Sequence, residues 1–284
     1  MQIGNYTLHA LQLGTFALDG GAMFGIVPKM LWQKENPADE QNRIDMRTRC
    51  LLLRDAKNKR NILVDCGIGD KDEQKFRERF KVSDYALEME LHKLVLVPAN
   101  ITDIIATHFH FDHMGGLTKL DEAGKLTARF PQAKVWAQKR NWEHAWHPNE
   151  KDRASYLQDN FSIYESDSRL QLLSSKDLGD EIYPGLKMHL SEGHTTGMQI
   201  PYIFDNNNSL LYCADIIPMS AHVRVAWVMG YDCFPVTSIQ EKKEILADAE
   251  KNNTVIFFEH CPFMHGARVA FNGKDYQVKE KIFL

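Results

Sequence analysis

The stretch IIATHFHFDHMGG, residues 104–116, constrains this chain more than any other. A short apolar run leads into His108, His110, Asp112 and His113, four metal-seeking side chains within six residues. At an extended strand end, side chains two positions apart point the same way. His108, His110 and Asp112 are therefore expected to converge, with His113 turned aside toward a second point. One divalent ion cannot easily accept all four from so short a segment, whereas two adjacent ions can. The Met-Gly-Gly that follows permits the tight backbone path such a loop needs. A fold built on this motif has to bring further ligands from distant segments, and metal geometry favours rigid elements as their carriers.

The rest of the chain offers those ligands in a recurring form, an apolar strand with a metal-binding side chain at its end. ILVD delivers Asp65, MHLSEGH delivers His194, LLYCAD delivers Asp215 and VIFFEH delivers His260. We assign His108, His110 and His194 to one ion, and Asp112, His113 and His260 to the other. Asp215 is the expected bridge, because its two oxygens can serve and neutralise both cations. Asp65 is expected outside the ligand set, fixing an imidazole through its other nitrogen. His265 competes with His260, but only His260 ends an apolar strand. Histidine and carboxylate ligands suit two Zn2+ ions, and also manganese, iron or cobalt. Two ions about 3.5–4 Å apart share a water and make hydroxide available near neutral pH. Asp112 is the expected catalytic carboxylate, orienting that hydroxide and accepting a proton.

The remaining pattern is strand and helix interleaved. RCLLLRD and NILVDCG read as a hairpin across AKNKR, and QIPYIFDNNNSLLYCAD as another turning at Asn206–Asn208. ARVAFNGKDYQV reads as a last hairpin turning at Asn272-Gly273. TSIQEKKEILADAEKN predicts a helix capped by Thr237 or Ser238, and NWEHAWHPNEKDRASYL a helix interrupted near Pro148. Two successive halves of mixed α and β point to one four-layer domain over residues 1–284. Segment 17–47 stands apart, being long, rich in Gly, Met, Phe and Trp, and unpatterned, as an active-site loop would be. Within it Phe24 and Trp32 are candidate pocket walls. His222, Tyr231 and Asp232 follow Asp215 on the loop leaving a ligand strand, and are candidates to touch the substrate or the shell around the metals.

Composition narrows the class. With 44% hydrophobic and 25% charged residues the chain reads as a globular protein, and a net charge of −4 gives no general attraction to nucleic acid or anionic membranes. The apolar runs are far too short to span a bilayer, and the N-terminus lacks the pattern of a secretory signal. Five widely spaced cysteines without a C-x-x-C pair fit neutral thiols in a reducing cytoplasm. The expected partner is a small-molecule substrate, with neither nucleic acid nor membrane, and with room for a homodimer.

THFHFDHMGG resembles the signature of the metallo-β-lactamase superfamily. LVDCG is similar to its first motif, GHTTG to its third, YCAD to its fourth and FFEH to its fifth, in the same order and over roughly residues 5–280. The resemblance implies an α/β fold, a four-layer αββα sandwich with two mixed sheets face to face, helices outside and metals at one edge. It also implies a hydrolase. Asp215 argues against a true β-lactamase, which usually lacks the bridging aspartate, and no basic docking arm of a tRNA-processing relative is present. In outline the chain is most similar to lactonases and organophosphate hydrolases, which implies cleavage of a lactone, ester or phosphoester. Alternatives within the class are a hydroxyacylglutathione thioester hydrolase and a phosphodiesterase. From another class, a mononuclear iron persulfide dioxygenase shares part of the ligand set.

Overall fold

A computed structural model describes residues 1–174 and 176–284. The first half of the chain builds β1 (Gln2–Ile3), β2 (Tyr6–Asp19), β3 (Arg43–Asp55), β4 (Arg60–Val64) and β5 (Asp103–Ile105), then a small hairpin β6 (Thr118–Leu120) and β7 (Leu126–Ala128), then β8 (Lys134–Gln138) and β9 (Leu170–Leu173). These form a sheet in the order β1-β2-β3-β4-β5-β8-β9, with β6 and β7 paired separately. The second half builds β10 (Glu181–Tyr183), β11 (Leu186–Ser191), β12 (Met198–Phe204), β13 (Ser209–Tyr212), β14 (Val255–Phe257), β15 (Gly266–Phe271) and β16 (Tyr276–Ile282), which form a second sheet in simple sequence order. The helices are α1 (Gly20–Phe24), α2 (Lys29–Trp32), α3 (Gln74–Arg79), α4 (Leu87–Lys93), α5 (Phe111–Met114), α6 (Lys139–Trp146) and α7 (Pro235–Lys251).

Strand β3 shows why the sheets stack. Its run Cys50-Leu51-Leu52-Leu53 is fully buried, and successive side chains of a strand face opposite sides. Leu51 and Leu53 join Val64 and Ile105 in a core shared with Met188, Ile200, Leu210, Tyr212 and Ile256 of the second sheet. Cys50 and Leu52 join Leu63, Ile104 and Val135 on the other face, which Leu87 and Leu91 of α4 and Trp142 of α6 cover. On the second sheet's side, α7 contributes Leu246 and Ala249 to the core. The layers are thus helix, sheet, sheet, helix. At the margin Asp103 ties the sheets together, accepting hydrogen bonds from Trp136 Nε1 of β8 and Tyr183 Oη of β10, each at 2.9 Å.

Direction matters more than layer count. In the first sheet β4 and β5 are parallel. In the second, β13 and β14 are parallel, and β11 runs the same way because two antiparallel steps separate it from β13. Five strand ends therefore emerge on one edge, carrying Asp65, the 107–113 loop, His194, Asp215 and His260.

The three expected hairpins are present, and α6 ends at Trp146, before Pro148. Two expectations need correction. Helix α7 begins at Pro235, with Phe234 as N-cap and no side-chain cap, rather than at Thr237 or Ser238. Proline suits the first turn because its missing N–H has no intrahelical partner there. Segment 17–47 is less irregular than its composition implies. Strand β2 continues to Asp19 and β3 begins at Arg43, with Ala17 paired to Asp45, so the connection is 20–42 and carries α1 and α2. No helix among the described residues is long and apolar enough to cross a membrane.

Candidate metal centre

Two groups of ligand atoms meet at this edge. His108, His110, His194 and Asp215 form one, and Asp112, His113 and His260 the other, each with its ligand atoms within 4.8 Å of one another. His194 Nε2 lies 3.2 Å from His110 Nδ1 and 3.3 Å from Asp215 Oδ2. His260 Nε2 lies 3.3 Å from His113 Nε2 and 3.1 Å from Asp215 Oδ1, and His113 Nε2 is 3.4 Å from that same oxygen. Asp112 Oδ2 stands 3.7 Å from His260 Nε2 and 4.0 Å from His113 Nε2. A tetrahedral zinc site with arms of about 2.0–2.1 Å has ligand–ligand edges of about 3.3 Å, so these spacings fit divalent cations. The Nε2 atom of His108 supports the same fit, being buried without any protein partner. Seven ligands assigned from sequence are therefore brought together, with Asp215 between the groups.

The backbone around them is held in unusual ways. Asp65 and Ala214 adopt positive φ, 57° and 43°, at the two turns that lead away from β4 and into Asp215. Such non-glycine strain concentrates at functional sites. Gly115 and Gly116 are required by close approach. A Cβ on Gly115 would stand 1.9 Å from the Ile68 carbonyl oxygen, and one on Gly116 2.2 Å from that of Cys66. Lys71 and Arg129 donate to the carbonyls of Gly115 and Gly116, and close the turn from outside.

A shell of partners fixes four of the five imidazoles, whereas the Nε2 of His110 is buried without a protein partner. Thr107 Oγ1 contacts His108 Nδ1 at 3.0 Å, Asp232 Oδ1 contacts His194 Nδ1 at 3.0 Å, and the Arg47 carbonyl oxygen faces His260 Nδ1 at 2.8 Å. Asp65 Oδ2 lies 3.0 Å from His113 Nδ1 and accepts the Thr107 hydroxyl at 2.7 Å, so it backs an imidazole as expected. Asp232 takes such a backing role on His194, which is the metal-shell side of its expectation. Glu259, which the sequence reading passed over, is a second carboxylate on His113 Nδ1, also at 3.0 Å. Its trace in the sequence is a charged residue closing the apolar run VIFF just before a ligand. Glu241 of α7 was also passed over. It accepts the Ser191 hydroxyl and the Glu192 and Gly193 N–H groups, which fixes the loop delivering His194.

Electrostatics follow from burial and crowding. Burial and the adjoining imidazoles of His113 and His194 hold His108 and His110 well below the ordinary histidine range. Burial would lower His113 and His260 too, but carboxylates win. Glu259, Asp215 and Asp112 raise His113, and Asp215 lifts His260 to about 9. Burial likewise favours a neutral Asp215, yet His113, His260 and His194 hold it well below the carboxylate range. Burial pushes Glu259 up to about 7, against the pull of His113. The cluster thus balances its charges with protons that a cation would displace.

The substrate candidates divide. Phe24, Trp32 and His222 are not pocket walls, since they are 0%, 1% and 1% exposed. They form a stack, with Phe24 parallel to Trp32 at 5.2 Å and to His222 at 4.9 Å, while His222 Nε2 donates to the Met23 carbonyl at 2.8 Å. Their large apolar faces anchor segment 20–36 on the loop after Asp215. Tyr231 is 37% exposed. Burial, together with the charges of Asp19 and Asp112, pushes its phenol up to about 12. Of the seven candidate ligands, His110, Asp112 and Asp215 retain 6–7% exposure, which marks the open side of the cluster. His265 lies outside both ligand groups, and its Nδ1 accepts the Leu284 N–H at 2.8 Å.

The family model described as Metallo-beta-lactamase superfamily matches residues 44–260. No curated protein matches the sequence. Among solved structures, a probable metal-dependent hydrolase from Staphylococcus aureus is 31% identical, covering 99% of this chain and 100% of that one with a TM-score of 0.87. The hydrolase AbOPH in the beta-lactamase superfamily is 22% identical, with 100% and 97% coverage and a TM-score of 0.80. AidC, a dizinc quorum-quenching lactonase solved with the product N-hexanoyl-L-homoserine, is 20% identical, with 100% and 97% coverage and a TM-score of 0.80. At such identities the last two speak for the fold alone. With its motifs in order, its sheets stacked and its His/Asp cluster suited to metal, the chain belongs to the metallo-β-lactamase superfamily and has the site of a metal-dependent hydrolase.

Proposed function

We propose that this protein is a dinuclear metal-dependent hydrolase that opens a lactone or cleaves an ester or phosphoester with an apolar portion. The observation that carries this reading is Asp215, whose Oδ2 faces His194 while its Oδ1 faces His113 and His260. A carboxylate presenting one oxygen to each of two ligand groups is the arrangement that two cations require. His108, His110 and His194 would hold one ion, and Asp112, His113 and His260 the other, Zn2+ first among the candidates. Bound there, the pair supplies Lewis acidity and a water that ionises near neutral pH.

The chain's own residues do the rest. Asp112, on the open side, orients the attacking water by accepting its hydrogen bond and takes up a proton as the bond to the electrophilic centre forms. Tyr231 keeps its phenolic proton across the working range and donates a hydrogen bond toward negative charge growing on the substrate oxygen. The buried walls behind the imidazoles exclude bulk water, which strengthens these contacts. The dizinc lactonase AidC, of similar fold, supports a lactone among the candidate substrates. A small-molecule substrate, a cytoplasmic setting and a possible homodimer belong to the same reading.

The test is a metal analysis combined with a panel of lactones, aryl esters, phosphotriesters, phosphodiesters and S-lactoylglutathione. Close to two transition ions per chain are expected, with turnover on the lactone, ester or phosphoester members. Asp215→Ala should abolish turnover while keeping the folded circular dichroism spectrum. One iron per chain with oxygen consumption, or full activity in the Asp215 variant, would overturn the reading.

A further inference from the structure

Among the described residues, His113 is the one ligand histidine whose outer nitrogen faces two carboxylates. Its Nδ1 lies 3.0 Å from Asp65 Oδ2 and 3.0 Å from Glu259 Oε2. Asp65 comes from the end of β4 in the first sheet, and Glu259 follows β14 in the second. With Nε2 turned toward Asp215, a neutral imidazole has a single Nδ1–H to share between them. One carboxylate would suffice to hold the ring, and Asp65 is already tied down by the N–H and hydroxyl of Thr107 at 2.8 and 2.7 Å.

Glu259 is therefore surplus to simple orientation, and its setting makes it costly. It is fully buried, its Oε1 has no partner, and its Oε2 accepts the Tyr212 hydroxyl at 2.6 Å. The buried Arg49 guanidinium is engaged with the carbonyls of Phe258, Cys261 and Met264. A buried carboxylate with so little compensation destabilises a fold unless positive charge offsets it. A cation on the far side of the His113 ring is such a charge. Glu259 also directly precedes His260, so one short segment fixes two ligands of the same group.

We propose that Glu259 is a positioning residue that selectively raises the affinity of the Asp112–His113–His260 group for its cation, leaving the His108–His110–His194 group unaffected. An outer acceptor raises the basicity of a ligating imidazole and locks its ring, and loss of such a partner typically costs about 10–100-fold in metal affinity. Glu259→Gln keeps the shape and the contact with Tyr212 but removes the carboxylate. Glu259→Asp keeps the carboxylate on a shorter arm.

The experiment loads wild type, E259Q and E259D with zinc and dialyses each against a graded zinc–chelator buffer, reading zinc per chain against free zinc. Wild type should release zinc in two steps. In E259Q one step should move to about 10–100-fold higher free zinc while the other stays in place, and E259D should move that step less. The melting temperature of cation-free E259Q should be no lower than that of cation-free wild type, since the uncompensated buried carboxylate is gone, and a lower one would point to general loosening instead. Both steps unmoved, or both moved together, would overturn the role of Glu259. Should E259Q fail to fold, E259D decides alone, and an unmoved E259D overturns the proposal. The inference rests on the two-cation reading. A wild type that releases a single zinc overturns that reading too, whereas a two-step wild type with an unmoved E259Q overturns Glu259 only.

Discussion

Tyr231 is the one substrate candidate from the sequence that keeps solvent exposure, and burial with the charges of Asp19 and Asp112 pushes its phenol up to about 12. A half-open tyrosine contributes little to packing, so Tyr231→Phe should leave the unfolding free energy within about 0.5 kcal/mol. If the hydroxyl meets negative charge in the transition state, kcat should fall by about 100-fold or more. Steady-state kinetics on the best substrate of the panel, beside a denaturant melt, separate the two effects, and an unchanged kcat removes the residue from the chemistry. At this scale the ligands were legible because each ends an apolar run, where a charged or imidazole side chain has no packing reason to sit. Glu259 obeys the same rule, yet the adjoining His260 drew the assignment, and one residue was credited where two were placed. Asp232 stood out only by its place on the loop after Asp215, and the Arg47 carbonyl left no trace, since a backbone oxygen looks ordinary until the fold sets it beside an imidazole.

Among the elements, α1 and α2 carry the clearest lesson. Phe24 and Trp32 read as pocket walls because they lie in a long aromatic-rich connection, and His222 reads as facing the pocket because it follows Asp215 on the loop leaving a ligand strand. Stacked and closed to solvent, they instead hold the 20–36 segment against the loop that follows Asp215. Phe24→Ala should cost about 3–5 kcal/mol of stability, with segment 20–36 becoming the first site of proteolysis. A loss below about 1 kcal/mol, with an unchanged cleavage pattern, would return Phe24 to the pocket surface. Strands and hairpins were legible from alternation and turn residues, as at Asn206–Asn208 and Asn272-Gly273. The start of α7 was not, because Phe234 caps it without a side-chain hydrogen bond. The ladder between β2 and β3 also runs further than expected: Arg43-Ile44-Asp45-Met46 alternates polar and apolar and buries Ile44 and Met46, a strand signal four residues long at the end of an irregular connection.

For the molecule as a whole, the ligand cluster and the sheets depend on one another. Asp65 and residues 108–113 belong to the first sheet's edge, while His194, Asp215 and His260 belong to the second's. Each cation held at a free concentration a hundredfold above its dissociation constant should add about 2.7 kcal/mol to unfolding. The sign with pH follows from the imidazoles. His260, raised to about 9 in the cation-free protein, binds a proton that ligation must expel. Without cations, its pairing with Asp215 stabilises the fold fully below about 6.5, the free histidine value, and loses that contribution as pH rises through about 9. The increase in melting temperature on adding zinc should therefore grow between those limits. Calorimetry with and without chelator across this range checks it, and a zinc effect that shrinks toward alkaline pH would contradict the scheme.

The order of the ligands along the chain has a consequence for biogenesis. During translation the motif at 108–113 leaves the ribosome long before His194, Asp215 and finally His260 become available. A nascent chain that stops short of residue 260 carries half a cage, open to any passing ion that likes imidazole. On the two-cation reading, tight capture waits for His260 and is among the last events of maturation.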